Sequence, residues 1–371
     1  MGLTEKERNM DEIASKFQVE GEVAEIIPFG SGHINDTFRI TCSLEGGGSK
    51  KYILQKMNDS IFKNPKQLME NVMNVTAFLR KKIIAANGDP DRETLNVIPT
   101  KDGENYLDCG DECWRMYIFI ENAFCYDEVK TKEDFYYSAV AFGNFQRMLS
   151  DYPAETLHET IVNFHNTVSR FADFKKAVEE DVCGRAKEVE AEIKFIMERE
   201  QVAHIICDAL EEKRIPLRVT HNDTKLNNVM IDEKTGKGLC VIDLDTVMPG
   251  SALYDFGDSI RFGASTGAED EPDLDRVSLD LELFEAYTKG FLEGCAGSLT
   301  EEETRLFPSG AKVITFEQGM RFLGDYLQGD TYYKTHRPGQ NLDRARTQLK
   351  LVADMEKKWE EMERIVAKYC N

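Results

Sequence analysis

Three polar side chains frame the chemistry this chain can do. Asp223 and Asn228 stand in Val219-Thr220-His221-Asn222-Asp223-Thr224-Lys225-Leu226-Asn227-Asn228, and Asp243 follows in Cys240-Val241-Ile242-Asp243-Leu244-Asp245. Two carboxylates and a carboxamide are hard oxygen donors. Mg²⁺ takes one or two protein carboxylates and fills its octahedron with water and phosphate oxygens. A carboxylate left off the metal can orient a hydroxyl and accept its proton. That is the division of labour in phosphoryl transfer, where an Asp sits in an H-x-D-x-x-x-x-N loop and the metal ligands are that Asn and a later Asp. His221, Asp223 and Asn228 fit this spacing, and Asp243 is the later acid. Asp223 is therefore the candidate catalytic residue, and Asn228 and Asp243 are the candidate metal ligands. Singly, Asp223 could cap a turn and Asn228 could fill an Asx-turn; the three together carry the reading. His221 is expected to hold the loop in shape by hydrogen bonding rather than to transfer protons.

The flanking pattern must bring these groups together. Val229-Met230-Ile231 and Leu239 to Ile242 are apolar runs around Asp232 to Gly238, which has hairpin composition. A hairpin returns its chain to its start, so Asp223, Asn228 and Asp243 can meet at one end. Upstream, Val23 to Ile27, Thr37 to Thr41 and Tyr52 to Gln55 read as strands, with Gly46-Gly47-Gly48-Ser49 as a turn. A helix follows Asn64-Pro65 with Leu68, Val72, Val75 and Leu79 on one face. Further strands are expected near Leu95 to Ile98 and from Trp114 to Ile120. From Lys132 the period is mostly helical, and Leu349, Val352, Met355, Trp359, Met362 and Val366 mark one long amphipathic helix. The expectation is an α+β chain with a small β-rich lobe, residues 1–121, and a larger α-helical lobe, residues 122–371.

Composition narrows the partners. The chain has 371 residues, with 46 Lys and Arg against 67 Asp and Glu, a net charge of −21. So acidic a chain is poorly suited to nucleic acid or an anionic membrane face. No apolar run approaches the roughly 20 residues of a membrane span, and Met1 to Glu7 has no apolar signal core. The nine cysteines are odd in number and form no C-x-x-C. Free thiols in a reducing compartment explain this best, so a cytoplasmic location is expected. The expected assembly is a monomer or weak homodimer.

Between the first two strands lies Phe29-Gly30-Ser31-Gly32-His33-Ile34-Asn35. Its small residues would let backbone N–H groups approach phosphate oxygens. Ser31 and Gly32 are assigned to the phosphates, and His33 and Asn35 to phosphate or substrate.

These motifs resemble the aminoglycoside phosphotransferase and choline kinase family, which has a bilobal protein-kinase-like fold. HNDTKLNN from His221, IDLDTVMPG from Ile242, DFGDSIRFGAST from Asp255, GHIN from Gly32, YILQ from Tyr52 and GMRF from Gly319 are similar to its N-acetylhexosamine 1-kinase branch. The resemblance spans nearly the whole chain. It implies transfer of a phosphoryl group from ATP, with Mg²⁺, to the anomeric hydroxyl of GlcNAc or GalNAc. In such folds a Lys or Arg near the end of the third strand binds the α- and β-phosphates, whereas this chain places Gln55 there, with Lys56 on the opposite face. Either Lys56 reaches round or Mg²⁺ neutralises more, and Glu70 would be a lysine's partner. Adenine would meet backbone groups near Phe119 and Glu121, between Ile53 and Ile242. Arg321 is similar to a sugar-contacting arginine of that branch, with Tyr326, Tyr332 and Phe164 to Thr167 as further candidates. Asp255 and Arg261 are expected to brace the catalytic loop. The open alternatives are an aminoglycoside, choline or homoserine acceptor, a decayed nucleotide-binding regulator, and a glycosidase built on paired acids.

Overall fold

The computed structural model describes residues 5–30, 35–59 and 61–370. The chain forms two compact units, one of residues up to Phe124 together with Ile231–Asp245, the other of Cys125–Met230 and Thr246 onward.

In the first unit a helix, α1 (Glu5–Ala14), precedes three antiparallel strands, β1 (Glu22–Pro28), β2 (Asp36–Ser43) and β3 (Ser49–Met57). The helix α2 (Pro65–Ala85) follows, with Pro65 at its first position and the Asn64 side chain accepting from the Gln67 amide at 3.1 Å. The strands β4 (Leu107–Asp108) and β5 (Cys113–Ile118) complete a sheet of order β1-β2-β3-β5-β4. Alternation explains its core: Ile40, Cys42, Tyr52, Leu54, Trp114 and Met116 all point to one buried layer, closed by Ile13 and Phe17. Leu95 to Ile98 is not a strand. It makes a single bridge, Val97 to Tyr117, flanked by the Ile98 amide on the Met116 carbonyl and the Ile118 amide on the Asn96 carbonyl, and the next amide that could extend it, that of Thr100, turns instead to the Glu104 carbonyl. A short strand, β6 (Ala123–Phe124), pairs with Ile231 and Asp232, and the 238–241 strand lies beyond.

The second unit is helical around one small ladder. Its elements are α3 (Lys132–Met148), α4 (Thr167–Glu180), α5 (Glu190–Met197), α6 (Glu200–Glu211), β7 (Arg218–Thr220), then β8 (Val229–Asp232) and β9 (Gly238–Val241), whose hairpin belongs mostly to the first unit, β10 (Met248–Gly250), α7 (Ala252–Gly263), α8 (Leu281–Cys295), α9 (Glu301–Arg305), α10 (Phe307–Leu327), α11 (Gln340–Lys357) and α12 (Trp359–Tyr369). The C-terminal periodicity is split between α11 and α12. Lys358 leaves the helix (φ −99°, ψ 14°) where its ammonium donates to the Leu279 carbonyl at 2.7 Å.

α7 is buried nearly all round and crosses α10 backbone to backbone. A Cβ on Gly257 would lie 2.4 Å from the Gly310 carbonyl oxygen. Gly257→Ala should therefore force two helices apart. Overpacking costs about 3 kcal/mol at its upper range, and alanine's helix propensity returns about 1 kcal/mol. A net loss of about 2 kcal/mol is expected, read as a lowered urea midpoint at unchanged slope.

Candidate active site

β7 delivers the chain into the catalytic loop, and α7 holds it there. Asp255 of α7 is fully buried. Its Oδ2 accepts from the His221 amide at 3.0 Å and the Gln146 side chain at 2.6 Å, and its Oδ1 accepts from the Asn222 amide at 2.8 Å. Burial pushes the Asp255 carboxyl above its usual range, against the pull of His221 and these donors. One turn later Asp258 accepts from the Thr224 amide at 3.0 Å and is itself paired to Arg261. The His221 ring is buried edge-on to Phe142 and Phe145, and its Nδ1 accepts from the Asp223 amide at 3.2 Å. Asn222 sits in the left-handed region at φ 66°, with its amide nitrogen donating to the Thr246 carbonyl at 2.8 Å. Asn and Asp are the residues besides glycine that enter this region most readily.

Asp223 itself is partly open to solvent. Lys225 Nζ lies 3.1 Å from its Oδ1, and Asn228 Nδ2 donates to its backbone carbonyl at 2.8 Å and to its Oδ2 at 3.2 Å. Asn228 is thus tied to Asp223 through its side-chain nitrogen. Burial alone would raise the Asp223 carboxyl, but Lys225 and His221 outweigh it and hold it below the usual carboxylate range. Asp223 is therefore ionised at neutral pH. Asp223 in turn holds the Lys225 ammonium above its ordinary value, against burial. Lys225 was missed in the sequence, although it stands two residues after Asp223 within the same motif. Lys225→Met should lower kcat about 100-fold, the range for losing one preorganised charge at a reacting centre. It should also raise the Asp223 pKa, because burial then meets less opposition. A pH profile of kcat would show an acid limb displaced toward neutrality relative to the parent.

The first unit carries the remaining sequence candidates. Ser31, Gly32 and His33 lie outside the described residues. Asn35 Nδ2 donates to Asp245 Oδ2 at 2.7 Å, and its Oδ1 accepts from the Asn58 amide at 3.0 Å. Gln55 lies directly opposite Arg115 in the β3–β5 register and accepts from its Nε at 3.0 Å. Arg115 is ion-paired to Asp245, both being buried. Burial would lower the Arg115 guanidinium, but Asp245 keeps it above its ordinary range. Lys56 does not reach round: it stays on the other face, paired to Glu112, while Glu70 stands 4.0 Å from Lys66. Asp243 occupies a left-handed conformation, φ 58°, just before the turn Leu244–Thr246. At the chain's exit from β5, the Phe119 amide donates to the Lys51 carbonyl at 3.1 Å and the Glu121 carbonyl accepts from Arg92 at 3.0 Å.

A third cluster lies on α10. Glu317 is fully buried, bonded to His165 at 2.9 Å and Thr167 at 3.0 Å. Arg321 stands 3.7 Å from Glu317 and 5.4, 5.7 and 5.6 Å from the ring centres of Phe164, Tyr332 and Tyr333. The Tyr332 hydroxyl, 3.5 Å from Arg321, belongs to a residue 61% exposed. Tyr326 is engaged elsewhere, under Arg185 and beside Glu188. A cavity of about 460 Å³ is lined by Phe164, His165 and Tyr254 and reaches Asn222, but Asp223, Arg321 and Tyr332 are not among its walls.

A loop held in this way, with Asp223 ionised beside a lysine and an asparagine, is equipped to orient a hydroxyl toward phosphorus. Comparison with known proteins supplies the family. Residues 25–289 match the model of the phosphotransferase enzyme family. The chain belongs to that family. Its fold is that of solved members of the kinase-like group. It resembles a microcompartment-associated aminopropanol kinase at 16% identity and TM-score 0.63, over 96% of this chain and 98% of that one. It resembles a spectinomycin phosphotransferase solved with ADP and spectinomycin at 11% identity and TM-score 0.58, over 94% and 98%. A choline kinase of Cryptosporidium parvum aligns at 13% identity and TM-score 0.57, over 98% of each chain. The expected α+β, kinase-like fold class is what these comparisons and the two units show. No helix of the described residues is long and apolar enough to cross a membrane.

The donor chemistry suits magnesium. Among the described residues no three His, Cys, Asp or Glu side chains gather to hold a metal by themselves. Asn228 Oδ1 and the Asp243 carboxylate are hard oxygens of the kind Mg²⁺ accepts in small number when phosphate supplies the rest.

Proposed function

We propose that this phosphotransferase is an N-acetylhexosamine 1-kinase, transferring the γ-phosphoryl group of ATP to the anomeric hydroxyl of GlcNAc or GalNAc. The observation that supports the substrate class is Arg321. Its guanidinium, on a side chain 10% exposed, stands among three aromatic rings beside the largely exposed Tyr332, and offers an acetamide carbonyl and sugar hydroxyls donors and an apolar floor. It repels an ammonium.

In the reaction the sugar oxygen forms the new bond to phosphorus as the bond to the β-phosphate oxygen breaks, and ADP leaves. The hydroxyl proton passes to Asp223. An acid held below the usual carboxylate range is a weak base. It suffices because the transition state is loose and the proton moves late, and because a hemiacetal hydroxyl is more acidic than a simple alcohol. Asp223 therefore acts first by orientation. Asn228 and Asp243, as their spacing implies, would hold Mg²⁺, which when bound neutralises charge on the phosphates. Asn35 and Gln55 of the first unit stand as candidates for the nucleotide side, with the Phe119 carbonyl and Glu121 amide for adenine.

A second reading has one observation behind it. The cavity beside Asn222 carries Glu159, Asp208 and Glu211 with the rings of Phe164 and Tyr254, which is chemistry that receives an ammonium. An amino alcohol acceptor would use it. ADP release should be followed with Mg²⁺-ATP over GlcNAc, GalNAc, glucosamine, choline, homoserine and kanamycin. Turnover confined to the N-acetylated sugars is expected. Turnover confined to the amines would replace the sugar reading with the second one, and nucleotide binding without turnover would point to a decayed enzyme.

A further inference from the structure

The Asp245 carboxylate is gripped on both oxygens inside the first unit, by Arg115 on one and by Asn35 Nδ2 at 2.7 Å on the other. The grip is anchored on three strands or their ends. Arg115 on β5 donates from Nε to Gln55 on β3 at 3.0 Å, Gln55 Nε2 donates to Thr37 on β2 at 3.1 Å, and Asn35 accepts from the Asn58 amide at 3.0 Å. A buried ion pair adds little net stability. What this one does fix is the chain at Asp243-Leu244-Asp245. Asp243 holds φ 58° there, a conformation that persists only where its surroundings over-determine it.

We propose that the Arg115–Asp245 pair is a positioning device for Asp243. It locks the left-handed turn and thereby aims the Asp243 carboxylate at a divalent cation carried on the phosphates of a nucleotide. Arg115 and Asp245 are on this account positioning residues, braced by Gln55 and Asn35, and none of the four is a ligand of the cation. The inference rests on the reading of Asp243 as a metal ligand.

The test is calorimetric binding of AMP-PNP in Mg²⁺ and in EDTA, the ratio of the two affinities being the readout, with thermal melting alongside. Three variants are compared: Asp243→Asn, Arg115→Lys, and Arg115→Met combined with Asp245→Leu. The double variant removes both charges and so spares the fold an unpaired one; its melting temperature should stay within a few degrees of the parent. Its EDTA affinity should stay within about threefold, while the gain from Mg²⁺ falls about 10- to 100-fold, as for loss of a group that orients a metal ligand. Arg115→Lys should lose most of the same gain, because one ammonium cannot hold Gln55 and Asp245 together. A well-folded double variant, or Arg115→Lys if the double variant does not fold, that keeps the parental gain would overturn the proposal while leaving the metal assignment intact. Retention of the gain by Asp243→Asn would overturn the metal assignment, and the proposal with it.

Discussion

Asp223→Asn should lower kcat by about 10²- to 10⁴-fold, the contribution of a positioned proton acceptor, or about 3–5 kcal/mol of transition-state free energy. The substitution keeps the shape of the side chain. The amides of Asn222 and Thr224 keep their partners on Asp255 and Asp258, and Asn228 keeps its bond to the residue 223 carbonyl. What is lost is the negative charge beside Lys225 and the ability to take the hydroxyl proton. Nucleotide affinity should therefore stay within about threefold, and the loss should fall on kcat rather than on KM for ATP. Single-turnover kinetics with saturating ATP would separate the two. Turnover near the parental rate would remove Asp223 from its role.

Asp255→Ala acts on the same loop from behind. It strands the His221 and Asn222 amides, which point into a fully buried site, and takes from the Gln146 side chain one of its two acceptors, the Val219 carbonyl being kept. Each orphaned donor costs about 1–3 kcal/mol. The three share one acceptor, so a total near 3–5 kcal/mol, the range for breaking a buried charged network, is the expected loss. Asp255→Asn should be little better, because its amide group would turn N–H toward N–H. Hydrogen exchange at the His221 and Asn222 amides should accelerate in both variants, with kcat falling even where the protein remains folded. Protection equal to the parent would mean that α7 does not hold the loop through this carboxylate.

The sequence was most legible where chemistry is local. His221, Asp223 and Asn228 fall within eight residues, and a loop that short can place them with few degrees of freedom, although Lys225 among them was passed over. Strands β1, β2 and β3 announced themselves as short β-branched and aromatic runs between glycine turns, and Lys56 stands on the face opposite Gln55 as period-two geometry requires. What stayed hidden is non-local. Arg115 and Asp245 are 130 residues apart, and His165 and Glu317 are 152 apart. Only the β3–β5 register puts Arg115 across from Gln55, and nothing in either segment alone signals that a cation one strand over accompanies the neutral amide. The C-terminal stripe from Leu349 to Val366 is continuous in period, yet the chain divides at Lys358 into α11 and α12.

Phosphorylation at the anomeric oxygen of an N-acetylhexosamine is open to one direct experiment. The purified protein is given Mg²⁺-ATP with GlcNAc and, in parallel, with 1-deoxy-GlcNAc, and the products are read by phosphorus NMR with coupling to the sugar protons. The account predicts a phosphate coupled to the anomeric proton of GlcNAc and no phosphorylated product from the deoxy sugar. Phosphate on any other carbon, or equal turnover of the deoxy sugar, would contradict it.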